Sequence, residues 1–548
     1  MKKSKSNGIV VQATVLAMAG IISRIIGLLY RSPLNSVIGK LGMGYYQQAY
    51  TYYTIVLLIS SYSIPGAVSK VISQKLAMKE YVNAHRLFKG AMLYVLIVGC
   101  VGSAFLFFGA SLFVNDSSAI PILRVFAPTI LIYGFLGVFR GYFQAHNSMV
   151  QTSISQIVEQ VVNAIVSVGM AYFLIRFAFG PGMPTSTEKI HDRAIIGAIG
   201  SALGTCLGVI AGLVSVLIMY KKLRPQIKRQ IHCDQSTKQD SYFSIMKKIT
   251  FVVTPFILST AMYNLSSSIN TKVYTDWYAE MKKIDLDTIT ATWGLFSGQA
   301  LTISNIPIAF ASAMATAVLP SVSTLMATKN MEEIRRKIQL AVKTTSIITM
   351  PCAVGLFVLA EPIVNLLFSN SQGDLILAGG YLRILCFSIV FYGFSTLNNG
   401  ILQGTGKMKE PIYNAFCALV FQTVVLVLLL SNTSLGVYGV GIANTVYAGT
   451  LYYLNHRVIK KTVDYKQEYK RSIFLPLLLS VIMGCVVHAA NKGLLYLNVA
   501  SRIATVISII IGGSIYIVLI LTCGVFSKEE LRMIPLLKKI CDRGKRND

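Results

Sequence analysis

Long apolar runs of about 20 residues recur along the whole chain and limit its fold more than any other feature. A helix of that length crosses the hydrocarbon core of a bilayer, which is roughly 30 Å thick. Only helices and closed barrels satisfy their backbone hydrogen bonds in lipid, and these runs lack the apolar–polar alternation of barrel strands. Charged residues make up 13% of the chain, against about 25% in soluble proteins. The sequence therefore predicts an all-α polytopic membrane protein.

The runs predict 14 transmembrane helices. The first run follows Lys2, Lys3 and Lys5 but continues past Tyr30 without a small-residue cleavage site, so we expect an uncleaved helix instead of a signal peptide. The predicted spans are 9–31, 44–72, 87–114, 119–146, 149–176, 194–220, 242–276, 290–327, 337–368, 376–404, 410–431, 434–456, 472–490 and 500–525.

The net charge of +28 would suggest nucleic acid binding in a soluble protein, but the positions of the cations argue against it. Most of the 50 Lys and Arg residues fall at the N-terminus, in the even-numbered loops and in the C-terminal tail. Loops rich in Lys and Arg stay on the cytoplasmic side of a membrane. We therefore predict a multi-pass protein of the bacterial plasma membrane with both termini in the cytoplasm. We expect its positive charge to contact anionic membrane lipids and not nucleic acid.

The chain also repeats itself at a nearly fixed offset. An offset of 250 aligns Arg86 with Arg336, and an offset of 259 aligns the Tyr-Gly-Phe runs at 133–135 and 392–394. Two parallel six-helix repeats are predicted, with a cavity between two lobes and alternating access. The predicted divisions are an N-lobe at 1–221, a basic cytoplasmic linker at 222–241, a C-lobe at 242–461, and spans 13 and 14 with a basic tail at 462–548.

Motifs of common enzymes are absent from the sequence. It contains no Walker loop, no H-E-x-x-H and no G-x-S-x-G motif. The nine cysteines are isolated, so neither a metal site nor a disulfide framework is indicated. We predict a transporter with no catalytic residues, metal or cofactor, driven by the membrane potential or by a H⁺ or Na⁺ gradient.

Span 1 carries two arginines on one face of a helix. Gly20, Arg24, Gly27 and Arg31 are spaced i, i+4, i+7 and i+11. A charge in mid-bilayer costs about 2.5–3.5 kcal/mol, so the stripe is predicted to line the cavity and bind an anionic head group. Guanidinium suits phosphate because it offers a planar fork of donors. Alternatively, Arg31 is an interface anchor and Arg24 pairs with a structural acid.

Glu159 is the one acid well inside a predicted span. It is predicted to couple an ion, to serve as a counter-charge that the substrate displaces from Arg24, or to make a structural contact. Lys70 and Arg140 are further candidates for anion binding near the cytoplasmic side. Arg140 aligns with Asn399 in the repeat, so its charge belongs to the first copy alone.

Span 7 carries a polar stripe at helical spacing. Asn264, Ser268 and Lys272 are predicted to form a cavity wall, although polar helix packing would give the same pattern. Predicted hinges or kinks lie at Gly27, Pro65 and Pro255.

Several segments resemble the polysaccharide-exporter branch of the multidrug/oligosaccharidyl-lipid/polysaccharide exporter superfamily. They are GIISRIIGLLYRSPLNSVIG at 20–39, IPGAVSKVIS at 64–73, IPIAFASAMATAVLPSVS at 306–323 and LQGTGKMKEP at 402–411. Within that branch the chain is similar to MurJ-type lipid II flippases and to stage V sporulation protein B. The resemblance implies a V-shaped pair of lobes around a cationic cavity, with spans 13 and 14 forming a groove for a polyprenyl tail.

The resemblance carries two arginines of the family onto Arg24 and Arg31. The family's span 2 arginine falls near Ser60, and its span 8 arginine falls near Gln299–Thr302, where this chain has none. Lys272 in span 7 would supply a positive charge in place of these two arginines. The acid that holds sodium in some members is represented only by Asp276, at the outer end of span 7.

The implied function is a flippase for lipid II, an undecaprenyl-pyrophosphate-linked peptidoglycan precursor. Another lipid-linked polysaccharide unit and cationic drugs are the alternative cargoes, and a polyprenyl-phosphate transferase is the alternative from another class. We expect a monomer associated with the cell-wall synthesis machinery.

Overall fold

The structure is a computed structural model that describes residues 18–58, 64–114, 116–146, 148–180, 187–234, 239, 241–327, 330–368, 370–407 and 409–525. All regular secondary structure in these ranges is helical, which confirms the predicted all-α class there. The helices are α1 (Met18–Leu29), α2 (Arg31–Leu57), α3 (Ile64–Ala77), α4 (Tyr81–Phe108), α5 (Ala110–Phe113), α6 (Ile120–Ala145), α7 (Val150–Phe179), α8 (Thr187–His232), α9 (Tyr242–Lys272), α10 (Ala279–Lys282), α11 (Leu286–Trp293), α12 (Leu301–Ala327), α13 (Met331–Val358), α14 (Ala360–Leu367), α15 (Gln372–Gly404), α16 (Lys409–Asn432), α17 (Val437–Val463), α18 (Leu475–Tyr496) and α19 (Ser501–Thr522).

Nine helices in the described ranges are long and apolar enough to cross a membrane. They lie in α4, α6, α7, α8, α13, α15, α16 and α19, and in the stretch Lys470–Tyr496 that contains α18. Helices also occupy the described parts of the other predicted spans, without meeting the same length and hydropathy criteria. The count of 14 spans and the repeat organisation therefore remain predictions.

The described residues divide between two compact units. Unit 1 comprises residues up to Thr302 together with Ala415–Ala443, and unit 2 comprises Ile303–Asn414 together with the residues from Asn444 onward. The predicted division into lobes at the linker 222–241 stays a prediction.

Unit 1 contains a local difference from the predicted pattern. Residues 32–43 were expected to form a loop between spans 1 and 2, but α2 begins at Arg31 and runs through them. Its one non-helical residue is Gly39, with φ of 71° and ψ of 177°. A side chain is strained at such a φ, so glycine allows the kink. The apolar pattern shows where a span lies, but it cannot show that the helix continues beyond the lipid.

Glycines set the packing of α7 against α8 within unit 1. Gly200, Gly204, Gly208 and Gly212 are spaced by four residues along α8 and face α7. A methyl group on Gly208 would lie 2.8 Å from the backbone oxygen of Glu159. Small residues of this kind let two membrane helices approach closely and gain van der Waals contact.

Unit 2 has a buried apolar core between α13, α15 and α17. Ile334, Ile338, Leu397 and Ile459 are among its buried residues. Ion pairs lie at the edge of this unit, including the one between the Arg383 guanidinium and Glu361 at 2.9 Å.

Candidate functional site

The predicted arginine stripe begins on α1. Arg24 is exposed on this apolar helix. Gly27 lies one turn further along, and a methyl group there would have only the Gln160 side-chain oxygen within 4 Å, at 3.8 Å. Among the described residues, one added methyl group would therefore fit beside Arg24 without a clash. Whether Gly27 acts as a hinge remains a prediction.

Arg31 is the first residue of α2 and is partly buried. Its Nη1 donates hydrogen bonds to the Thr302 hydroxyl and, at 3.4 Å, to the backbone oxygen of Gly298. Arg31 therefore contacts protein at the start of α12. The resemblance placed a family arginine near Gln299–Thr302, where this chain has none. The guanidinium that reaches Thr302 here is that of Arg31, from α2.

Around Arg31, α2 packs tightly against residues 290–298. Gly44, Gly294 and Gly298 lie so close to the opposite backbone or side chains that a methyl group on any of them would clash. Gln47 donates from Nε2 to the Ser297 backbone oxygen at 3.2 Å. We call this contact between residues 31–48 and 287–302 the α2–α11 seam.

A polar cluster, which we call the His191 cluster, lies at one end of the α2–α11 seam and comprises Tyr45, Ser118, His191 and Asp287. The Tyr45 hydroxyl donates to Asp287 at 2.7 Å, and His191 Nδ1 lies 3.1 Å from the same hydroxyl and 3.4 Å from the Asp287 carboxylate. His191 Nε2 lies 3.1 Å from the Ser118 hydroxyl. Tyr45 falls at the predicted outer end of span 2, and the other three residues fall in the predicted outer loops. Sequence reasoning missed the cluster because its members are distant in the chain.

Asp116 lies beside this cluster in the turn before α6. It accepts a hydrogen bond from the Ser118 backbone N–H at 2.9 Å. Burial raises the pKa of the Asp116 carboxyl above its usual value, and the hydrogen bonds from Ser118 only partly oppose this shift.

Arg140 and Glu159 form a buried ion pair between α6 and α7. Arg140 Nη2 lies 2.7 Å from the Glu159 carboxylate, and the two side chains are 5% and 13% exposed. Arg140 Nε also donates to the Ser155 hydroxyl at 2.8 Å. The structure thus makes Arg140 a counter-charge of Glu159. Sequence reasoning selected both residues but did not pair them.

The polar stripe of α9 has both exposed and buried members. Asn264 and Lys272 are exposed, whereas Ser268 is 6% exposed. The Ser268 hydroxyl is buried and makes no hydrogen bond to any described residue. The stripe therefore does not form one uniformly exposed wall.

Next to it, a buried network joins α9 to α16. The Ser266 hydroxyl donates to the side-chain oxygen of Gln422, and Gln422 Nε2 donates to Asn270. Gln422 is an isolated amide within the apolar run ALVFQTVVLV, and this made it a visible signal. Sequence reasoning overlooked it.

The remaining predicted residues lie apart from these contacts. Lys70 is exposed on α3. Pro65 is the second residue of α3, and a methyl group on Gly141 would lie 2.7 Å from its backbone oxygen, so α6 packs closely on this helix start. Pro255 falls within α9, but its side chain lies outside the described residues. The hinge roles of Pro65 and Pro255 stay predictions.

The arrangement offers cations and hydrogen-bond donors. Within the described ranges, no group of three His, Cys, Asp or Glu side chains is placed to hold a metal ion. Recognition of an anion by guanidinium and ammonium groups stays a prediction.

Comparisons with known proteins give one consistent result. A family model described as lipid II flippase MurJ matches residues 106–534. The chain is 24% identical to the lipid II flippase MurJ of Bacillus subtilis over 544 residues, covering 95% of this chain and 96% of that protein. It is 22% identical to stage V sporulation protein B of the same organism, covering 96% of this chain and 98% of that protein.

Among solved structures, the chain matches the lipid II flippase MurJ in an inward closed conformation. The TM-score is 0.65 at 17% identity, with 93% of this chain and 99% of that chain covered. This likeness shows the fold. The resemblance drawn from the four sequence segments is confirmed.

Proposed function

The chain belongs to the lipid II flippase MurJ family, and from this premise we propose that it translocates lipid II from the inner to the outer leaflet by alternating access. The relatives of this chain are transporters, and the family moves lipid-linked oligosaccharides, so we propose a transporter of such a substrate. Its membrane setting is that of a multi-pass protein. The choice of lipid II as cargo is the part that experiment must decide.

The observation that carries the proposal is Arg24. It is a permanent cation exposed on an apolar helix, and Gly20 and Gly27 on the same face would each accept a methyl group without a clash with described residues. The pyrophosphate of lipid II supplies the charge and geometry that a guanidinium fork matches. Lys272 and Asn264 are exposed on α9 and are proposed to line the same cavity, with the exposed Lys70 toward the cytoplasmic side. Arg140, buried in its pair with Glu159, is proposed to reach the substrate only if that pair opens.

Alternating access requires an outer closure that opens. We assign this role to the α2–α11 seam and to the His191 cluster at its end, since both join segments at the predicted outer face. Arg31 lies within the seam through its bonds to Gly298 and Thr302. Opening the seam would release the Arg31 guanidinium to bind the departing pyrophosphate.

The driving force is proposed to be the membrane potential or a H⁺ or Na⁺ gradient. Glu159 is the candidate coupling acid, although its contact with Arg140 at 2.7 Å also supports a purely structural role. We propose a monomer in the bacterial plasma membrane with both termini in the cytoplasm, in contact with anionic lipids and the cell-wall synthesis machinery.

The test is flipping of labelled lipid II by the purified protein in proteoliposomes. We expect Arg24→Ala to reduce the initial rate at least ten-fold and Arg24→Lys to retain part of it. Lys492→Ala is the matched control, because Lys492 is also an exposed cation on an apolar helix, α18. Full flipping by Arg24→Ala would refute the role of Arg24.

A second cargo, another lipid-linked polysaccharide unit, is favoured by one observation. The identities to the lipid II flippase MurJ and to stage V sporulation protein B are nearly equal, at 24% and 22%. A competition assay decides between the cargoes. An excess of an undecaprenyl-pyrophosphate that carries a different glycan is added, and lipid II flipping is measured. Flipping would be suppressed only if the protein does not distinguish the two head groups. A multidrug cargo would instead appear as drug resistance on expression.

A further inference from the structure

A cavity of about 360 Å³ opens at the end of unit 1 where α4, α8 and α9 meet. Small-molecule sites in proteins occupy roughly 300–1,000 Å³. Its lining includes His85, Arg86 and Lys89 from α4, Ile231 from α8 and Tyr242 from α9. None of these residues belongs to the proposed transport path, and the predicted topology places them at the cytoplasmic face.

The cations of this cavity contact neutral groups. Arg86 Nη1 donates to the Gln239 side-chain oxygen, and its guanidinium lies 5.1 Å from the centre of the Tyr242 ring. Arg86 Nε and His85 Nδ1 are buried without a hydrogen-bond partner among the described residues. Lys89 is exposed, with no ion pair in the part of the chain that the structure describes.

Two described acids lie close in sequence to the lining residues, whereas Asp240, between Gln239 and Tyr242, lies outside the described residues. Glu80 pairs with Lys75 at 2.6 Å. Asp234 accepts a hydrogen bond from the Val82 backbone N–H at 3.0 Å. Neither acid lines the cavity, so the cavity has an excess of positive charge among the described residues.

The predicted repeat allows the cavity residues of α4 to be compared with residues of unit 2. The 250-residue offset aligns His85 with Arg335 and Lys89 with Gln339. Arg335 donates to the Val463 backbone oxygen at 2.8 Å and pairs with Asp464 at 3.6 Å. Gln339 donates to the Glu468 carboxylate. The residues aligned with His85 and Lys89 thus contact carboxylates in unit 2, whereas His85 and Lys89 form no ion pair among the described residues of unit 1.

We propose that this cavity binds a phosphate-bearing anion held by Arg86 and Lys89. The Arg86 guanidinium, fixed by stacking on Tyr242, offers the phosphate its planar donor fork. Lys89 adds a flexible ammonium, and His85 adds a ring nitrogen. The phosphate belongs either to the head group of an anionic inner-leaflet lipid or to a soluble phosphate compound of the cytoplasm. Bound there, it would tie α4 to the helices on both sides of the linker 222–241.

Two binding assays on the full-length protein separate these sources. In nanodiscs of neutral phosphatidylcholine, inorganic pyrophosphate is titrated and its affinity measured by calorimetry. In nanodiscs containing phosphatidylglycerol, native mass spectrometry measures how much of this lipid stays bound. The test variant is Arg86→Gln with Lys89→Gln. The matched control is Lys221→Gln with Lys222→Gln, which removes the same charge from exposed positions of α8.

We expect the test variant to weaken pyrophosphate binding or to lower phosphatidylglycerol retention at least ten-fold, with the control within two-fold of the parent. An effect in the first assay alone identifies a soluble ligand, and an effect in the second alone identifies a lipid. Equal loss in both variants, or unchanged binding in both assays, overturns the proposal. If the double variant fails to fold, Lys89→Gln alone is used, since Lys89 is exposed. Lipid II flipping is measured separately and does not enter this test.

Discussion

Glu159→Gln removes one charge of the buried ion pair with Arg140 while keeping the shape of the side chain. Two unit charges about 4 Å apart attract by about 4 kcal/mol at an effective dielectric constant near 20. Arg140 is 4% exposed, so it cannot regain water when its partner is neutralised. Removing one partner of a buried pair destabilises proteins by about 3–5 kcal/mol. We expect Glu159→Gln to lower the free energy of unfolding by this amount.

The removal of both charges should be far milder. Arg140→Met with Glu159→Leu leaves no buried charge, so its loss of stability should stay below about 2 kcal/mol. The difference between the double variant and the sum of the singles, Arg140→Met and Glu159→Leu, is the coupling energy. With about 3–5 kcal/mol lost in each single and less than about 2 kcal/mol in the double, we expect it to be at least about 4 kcal/mol. Ser155 stays unchanged in all variants, so the hydrogen bond to Arg140 Nε is lost equally wherever Arg140 is replaced.

The assay is chemical unfolding of the purified protein in detergent, followed by tryptophan fluorescence. Trp277 and Trp293 are the two tryptophans of the chain, and both lie in unit 1 with the ion pair. A coupling energy below about 0.5 kcal/mol would refute the reasoning, because the pair would then contribute no net stability. Unchanged stability together with lost flipping would instead mark Glu159 as the coupling acid.

Three further predictions test other contacts. Gly204→Ala should destabilise unit 1, because the new methyl group would overlap the α7 backbone, whereas Gly169→Ala, with open space around it, should not; melting temperatures in detergent compare the two. Asp116→Asn should raise the melting temperature at neutral pH. Burial raises the Asp116 pKa on folding, so the parent protein loses stability as pH rises through the folded pKa of this group. Asp116→Asn should lack this loss. If the melting temperatures of the parent and of Asp116→Asn depend on pH in the same way, the raised pKa is contradicted. Gln47→Cys with Ser297→Cys, when oxidised, should stop flipping and recover on reduction, and continued flipping by the crosslinked protein would show that the α2–α11 seam need not open.

Much of the fold could be predicted from hydropathy alone. Runs of about 20 apolar residues have one stable solution in lipid, the helix, and this holds across the described residues. The continuation of α2 through residues 32–43 could not be predicted, because a helix outside the lipid depends on packing. The four glycines of α8 at 200–212 were visible in the sequence, but their partner helix was not.

The contacts among the candidate residues could not be predicted from the sequence. Arg140 and Glu159 each stood out as charges in apolar runs, yet their contact depends on how α6 and α7 pack. Arg31 illustrates the limit most clearly, since its hydrogen-bond partner Thr302 is 271 positions away. No local pattern reports a contact at that separation.

The most direct test of the central claim is transbilayer movement of lipid II in proteoliposomes that contain this protein as the sole protein. Fluorescent lipid II is placed in both leaflets, and a membrane-impermeant quencher reports the fraction that becomes accessible over time. Transport of lipid II by this chain predicts rapid loss of protected lipid II with the parent protein and slow loss with Arg24→Ala. Protection that is the same with the parent protein and in empty liposomes, under an imposed membrane potential and under H⁺ and Na⁺ gradients, would contradict it.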